Sequence, residues 1–283
     1  YARGGVYSVV EAMARHLDVR CGVRVDRIEH RGGRVRGVVT AGGEVVPADV
    51  VVWNGDATRL DSLLDTRPQL LRTRRTTMSA LLLYLGTDRP FPELLHHTLF
   101  VGNGYKRFIK DVTARRRLPE TYSTYVHAPS RTDASMAPEG GESIAVLLPV
   151  PNLKSGDTWD AAQTDEVAAA VVADLESTFG LDGLAASTVV AHRMTPVAFR
   201  DRLGAADGNA FAIEPTLHQS AAFRVPNRHP RIRGVYAVGG GSHPGAGVPG
   251  VLFGAEVTSG LIAHDHPHAG GRPAAAPAPA VIA

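Results

Sequence analysis

The stretch that most constrains the fold is residues 234–250, GVYAVGGGSHPGAGVPG, where a short apolar strand enters a loop with six glycines between 239 and 250. Pro249 then opens a helix expected to run to about residue 263. Proline lacks an N–H and has φ preset near the helical value, so it costs little at a first helical position. Glycines in such a loop accept positive φ and let a ligand approach the backbone without a Cβ in the way. The helix that follows presents unpaired N–H groups and the positive end of its dipole. Such a terminus suits a pyrophosphate or an electron-rich ring edge. Gly245, Gly247 and Gly250 match G-x-G-x-x-G in spacing, but a dinucleotide fingerprint needs a second strand with an acidic residue about 20 positions on. Here the helix runs into His264, His266 and His268 and a proline- and alanine-rich tail.

Upstream, residues 6–17 carry an apolar stripe at helical spacing behind the Gly4-Gly5 turn. Strands are predicted over 23–28, 35–40 and 44–46, separated by glycine turns at 32–33 and 42–43. The run 50–53 is apolar without alternation and ends at Asn54-Gly55-Asp56. Such strands are usually buried on both faces of a covered α/β sheet, with ligands beyond their carboxyl ends. The middle of the chain differs, with strands predicted over 79–85, 123–127, 143–150 and 187–193 and a long amphipathic helix within 159–179. Thr195-Pro196 reads as a capped start of a short helix. These blocks divide the chain into a first segment 1–66, an inserted α+β domain 67–230, a returning segment 231–263 and a disordered tail 264–283.

Composition excludes several classes. A net charge of +2 argues against nucleic acid as partner. The single cysteine, Cys21, rules out an intrachain disulfide or a thiolate metal site and fits a cytoplasmic setting. No apolar run approaches the roughly 20 residues of a membrane span. The arginines at 72, 74 and 75 and at 115, 116 and 117 form either a solvated basic face or a peripheral seat on anionic lipid at the inner face of the membrane. Apolar runs 81–85 and 145–148 are either sheet core or the wall of a hydrocarbon tunnel. His96, His97, His127 and His192 lack metal-ligand spacing in sequence, so no metal is expected and structural roles are assigned to each. His243, inside the glycine loop, is the one candidate for a proton acceptor, against the alternative of a packing role. The sequence is silent on oligomeric state.

Several stretches resemble bacterial phytoene desaturases in the family's order and roughly its spacing over residues 1–264. They are YARGG at the start, the strand and turn 49–56, His96-His97-Thr98, HAPSRTD from His127 and APEG from Ala137. HRMT from His192, Phe199-Arg200-Asp201, QSAAFRVPN from Gln219 and residues 236–250 complete the set. Ala2, Gly240 and Ser242 stand where that family usually has proline, alanine and threonine. The resemblance implies an α/β fold of the glutathione-reductase-like FAD-binding kind with an inserted α+β substrate domain. It also implies FAD as cofactor and dehydrogenation of an apolar polyene precursor such as phytoene. Gly241, Ser242, Gly247, Val248 and Pro249 would contact the flavin ring and ribityl chain, and Val25 would lie near the adenine end. Related flavoenzymes (carotenoid ketolase, retinol saturase, amine oxidase) and a non-catalytic scaffold are the alternatives. The family's N-terminal strand–GxGxxG–helix unit is not among these residues, and the first methionine, Met13, falls inside a predicted helix. The chain is therefore expected to be the C-terminal part of a longer enzyme and to be inactive alone.

Overall fold

In the computed structural model, which describes residues 1–66, 75–267 and 280–281, the chain divides into two units. One comprises Tyr1–Glu11 with Thr77–Ala210, the other Ala12–Thr76 with Phe211–Ala283. Helix α1 (Tyr7–Ala14) forms where the sequence places an apolar stripe, yet it buries no residue. Val10 and Met13 remain 53% and 52% exposed, so the stripe covers nothing among the described residues. A short strand β1 (Val19–Arg20) precedes an antiparallel sheet of β2 (Val25–Arg31), β3 (Arg34–Thr40) and β4 (Val45–Pro47). At Gly37 a Cβ would lie 2.3 Å from the Val46 carbonyl oxygen, so this strand pair closes only over a glycine. Ile28, Val35 and Val38 of the sheet bury against Leu60 and Leu63 of α2 (Leu60–Leu63) and against Val225, Ile232 and Val235. Strand β5 (Val51–Trp53) is less covered than its apolar sequence suggests. Among the described residues it pairs in parallel with Val235–Ala237, and Val52 stays 45% exposed.

The inserted unit is built on a five-stranded antiparallel sheet. Its strands are β6 (Ser79–Thr87), β7 (His97–Val101), β8 (Ser123–His127), β9 (Glu142–Val150) and β10 (Thr188–Met194), in the order β10-β6-β9-β8-β7. Helix α3 (Tyr105–Lys110) lies between β7 and β8 in sequence, and α4 (Ala161–Ser177), α5 (Leu184–Ser187) and α6 (Pro196–Leu203) follow β9. Burial alternates residue by residue along β9, the period-2 pattern of a sheet with one face in the core. Ile144, Val146 and Leu148 meet Leu81, Leu83 and Leu85 of β6 and Val171 and Leu175 of α4 in one cluster. The two apolar runs thus contribute one face each to sheet core; each such side chain is worth roughly 1.5–3 kcal/mol of burial. Asp160 caps α4 through Gln163 N–H at 2.9 Å, and the Thr195 hydroxyl caps α6 with Pro196 in its first turn. Edge strand β7 carries no clear sequence signal, because its Leu99 and Val101 face outward.

The chain returns to the first sheet system through residues 211–234, where Val225 joins the core. Strand β11 (Val235–Ala237) pairs in parallel with β5, and helix α7 (Val248–Asp265) follows the loop. The face that α7 buries is narrow. Gly254 and Thr258 are buried, whereas Leu252 and Ala255 are exposed. Of the tail, residues 268–279 and 282–283 lie outside the described residues, as do 67–74, and β12 (Ala280–Val281) pairs with β1.

Candidate functional site

The glycine loop hangs between β11 and α7 and is held from beneath. Val238 N–H donates to the Trp53 carbonyl at 2.9 Å, carrying the β5–β11 pairing one residue past the strand. A Cβ at Gly239 would lie 2.6 Å from Asn54 Oδ1, and one at Gly241 would lie 2.8 Å from Ala57 Cβ. The loop therefore sits on the turn that ends β5, and side chains at these two positions would lift it off. Ser242 is fully buried; its hydroxyl donates to the Gly239 carbonyl at 3.0 Å.

Two side chains from the preceding segment fix the loop's path. The buried Arg224 donates through Nε to the Ser242 carbonyl at 2.9 Å and through Nη2 to the Gly240 carbonyl. Burial holds its guanidinium below the ordinary arginine value. Asn227, also buried, donates through Nδ2 to the carbonyls of Ala237 at 3.2 Å and His243 at 2.9 Å and to Thr258 Oγ1 at 3.0 Å. One amide thus ties strand end, loop and helix together. Thr258 in turn donates to the Gly254 carbonyl at 2.8 Å, which places both on the buried face of α7.

The far side of the loop is open. Gly247 is the N-cap of α7, at φ +98°, and a Cβ there would meet nothing within 4 Å. No side chain caps the first turn, Pro249 lies within it, and Gly247, Val248 and Pro249 are all exposed. An uncapped helix start of this kind leaves backbone N–H groups for a ligand or water. The expected cofactor residues therefore separate. Gly247, Val248 and Pro249 face outward, Gly241 and Ser242 are packed into the protein, and the Ser242 hydroxyl is already engaged. Val25 opens β2 opposite Thr40 and packs against the core. His243 contributes its backbone, donating to the Val225 carbonyl at 2.9 Å and accepting from Asn227; its ring makes no hydrogen bond among the described residues. Arg224 and Asn227 carry no family-independent motif, and only their place within QSAAFRVPN hints at a role.

A cavity of about 860 Å³ lies at the opposite end of β11, lined by Arg34, Arg228, Arg231, Tyr236 and Asp265 among others. Arg228 forms a two-pronged ion pair with Asp265 at 2.7 and 2.8 Å. Tyr236 donates to the same carboxylate at 2.9 Å, and burial together with that charge pushes its phenol up to about 12. Arg228 holds the Asp265 carboxyl well below the usual range, helped by His264. In the other unit, Arg115 and Arg117 each donate to the buried Asp111 at 2.9 Å, so two of the three arginines in that run are internal ion-pair partners.

The histidines are rearranged by folding. His96, His97 and His127 come together at the β7–β8 edge, while His192 lies on β10 at the opposite edge of the sheet. Burial, then the neighbouring rings, keeps His96 and His127 below the ordinary imidazole value.

A sequence profile of flavin containing amine oxidoreductases matches residues 1–261. The chain is 36% identical over 278 residues to a lycopene-forming phytoene desaturase of Pantoea ananas, covering 94% of this chain and 56% of that protein. It is 37% identical over 277 residues to a zeta-carotene-forming phytoene desaturase of Myxococcus xanthus, covering 94% and 53%. The chain thus spans about half the length of the curated relatives it matches. An oxidoreductase of Methanosarcina mazei superposes with a TM-score of 0.58 at 16% identity, over 91% of this chain and 55% of that one, a likeness of fold. The α/β class expected from sequence holds. Among the described residues no helix is long and apolar enough to cross a membrane.

Proposed function

The chain belongs to the flavin containing amine oxidoreductase family, and from that premise we propose that its glycine loop and α7 N-terminus seat the ring end of FAD in an enzyme that dehydrogenates an apolar polyene precursor such as phytoene. The observation that carries this reading is the two-sided loop. Arg224, Asn227 and Ala57 hold it from one side, while Gly247–Val248–Pro249 leave a Cβ-free, uncapped helix start exposed on the other. That arrangement fits a planar ring with an electron-rich edge better than a solvent-facing turn, where a side-chain cap would be worth about 1 kcal/mol and is missing here.

When bound, the flavin supplies the hydride acceptor that carbon–carbon dehydrogenation requires. The chain's residues would do the rest by position. The first-turn N–H groups of α7 and its dipole favour negative charge gathering at the ring edge. Gly247 keeps the approach clear of side-chain atoms. Arg224 and Asn227 keep the loop from adapting, so those donors are preorganised. The substrate proposed here has no polar handle, and its selection rests on shape, at about 1–3 kcal/mol per methylene.

The test is expression of a flavin-loaded enzyme that contains this chain together with a nucleotide-binding unit, in a host that accumulates phytoene, followed by chromatography of extracted pigments. Loss of phytoene with appearance of longer conjugated polyenes is expected. Unchanged phytoene beside an enzyme with full flavin content would overturn the proposal, and oxygenated products would place the chain with oxygen-inserting enzymes instead.

A further inference from the structure

The three histidines at the β7–β8 edge belong to a different unit from the glycine loop, and their geometry is that of a ligand set. His97 and His127 are direct cross-strand partners in the antiparallel register, which puts both side chains on one face of the sheet. Their rings stack at 5.2 Å. His96 precedes the strand, and its carbonyl accepts from Ala128 N–H at 3.0 Å, which holds its backbone beside the end of β8. His96 Nε2 and His127 Nε2 then face each other at 3.1 Å. One ligand nitrogen from each of the three rings lies within 4.8 Å of the other two.

Two imidazole nitrogens at that distance share either a proton or a metal ion. Four-coordinate zinc, with Zn–N near 2.0–2.1 Å, sets its ligand nitrogens about 3.3 Å apart, so the His96–His127 pair already has the required span. His97 is exposed on an edge strand, and one of its ring nitrogens lies within 4.8 Å of a nitrogen on each of the other two rings. The outer shell is also in place. His97 Nδ1 meets the Tyr125 hydroxyl at 2.7 Å, and His96 Nδ1 meets Thr132 Oγ1 at 2.5 Å. For His96 the bonded nitrogen is the one turned away from His127, and for His97 the bond occupies one of the two ring nitrogens, which is how ligating histidines are oriented. Tyr125 lies two residues before His127 on β8, so the same strand face supplies a ligand and a support.

We propose that His96, His97 and His127 form a binding site for a divalent late transition-metal ion, with zinc as its best occupant and water as the fourth ligand. An all-imidazole set with no carboxylate or thiolate selects ions of the zinc, copper and nickel group over magnesium or calcium. The ion would tie the segment before β7 to the end of β8, a cross-link at the sheet edge.

The test is calorimetric titration of the metal-stripped protein with zinc chloride, alongside magnesium chloride. Wild type is expected to bind one zinc ion and no magnesium. His97→Ala, on an exposed edge position where folding is unaffected, should weaken zinc at least 100-fold, and His127→Ala likewise. Tyr125→Phe should weaken it about 10- to 100-fold with the three ligands intact, as outer-shell losses do. Because His264, His266 and His268 could also collect metal, H264A/H266A/H268A serves as the control and should bind as wild type does. Absence of zinc binding in wild type, full affinity in His97→Ala, or loss of the site only in the tail variant would each overturn the proposal.

Discussion

Replacing Asn227 tests whether the loop is held by its amide or merely packed. The Nδ2 group faces three acceptors, the carbonyls of Ala237 and His243 and the hydroxyl of Thr258, at 2.9 to 3.2 Å. It has two protons, so at any moment two acceptors are served. Asn227→Ala orphans them in a site where the residue itself is only 6% exposed. Each buried acceptor left unpaired costs about 1–3 kcal/mol. His243 is half-exposed and can recruit water, so a total of about 2–4 kcal/mol is expected rather than the sum of the upper limits. Asn227→Asp keeps the volume but sets a carboxylate against three oxygens, and it should be no better than alanine at neutral pH. Urea unfolding of the flavin-loaded protein measures the stability change, and absorbance at the flavin band measures retained cofactor. Both variants should lose stability and flavin together, since the same bonds carry β11, the loop and α7. If Asn227→Asp unfolds within 1 kcal/mol of wild type and keeps its flavin, the amide is not what shapes this loop, and the clamp reasoning fails.

Other expectations follow from single contacts. Gly247→Val should strip flavin while leaving a cooperative melt, because its side chain would enter open space at the helix start; positive φ adds about 1–3 kcal/mol of strain, and full flavin occupancy would contradict the site. Tyr236→Phe tests the raised phenol: with a folded-state value of about 12 against an ordinary 10, the Tyr236 contribution is complete below pH 10 and is lost as pH rises through 12. The stability gap between wild type and Tyr236→Phe should therefore narrow across pH 10 to 12 in urea melts, and a constant gap would refute the assignment. Leu81→Ala, at a fully buried position in the five-stranded sheet, should cost about 2–5 kcal/mol, against less than 1 kcal/mol for Leu99→Ala on the exposed face of β7; equal effects would mean that the core is misplaced.

Features written in adjacent residues were legible without coordinates. Pro249 after a glycine loop announces the start of α7, Thr195-Pro196 that of α6, and the apolar stripe of α4 its buried face, because capping and periodicity act within one or two turns. What folding alone decided depends on partners distant in sequence. The stripe on α1 reads as core yet stays exposed, since burial needs a surface to cover it and periodicity cannot supply one. The buried face of α7 is chosen by Asn227 and the loop packed on Gly254 and Thr258, not by the larger Leu252. Arg224 and Asn227 have nothing in their composition that foretells a clamp, because their acceptors, backbone carbonyls and the Thr258 hydroxyl, lie 10 to 31 residues further on. The histidines show the same limit. His96 and His97 stand some 30 residues from His127; the antiparallel register of β7 on β8 sets His97 beside His127, and the Ala128 N–H to His96 carbonyl bond brings His96 to them, because strand pairing is set by long-range contacts that no local spacing encodes.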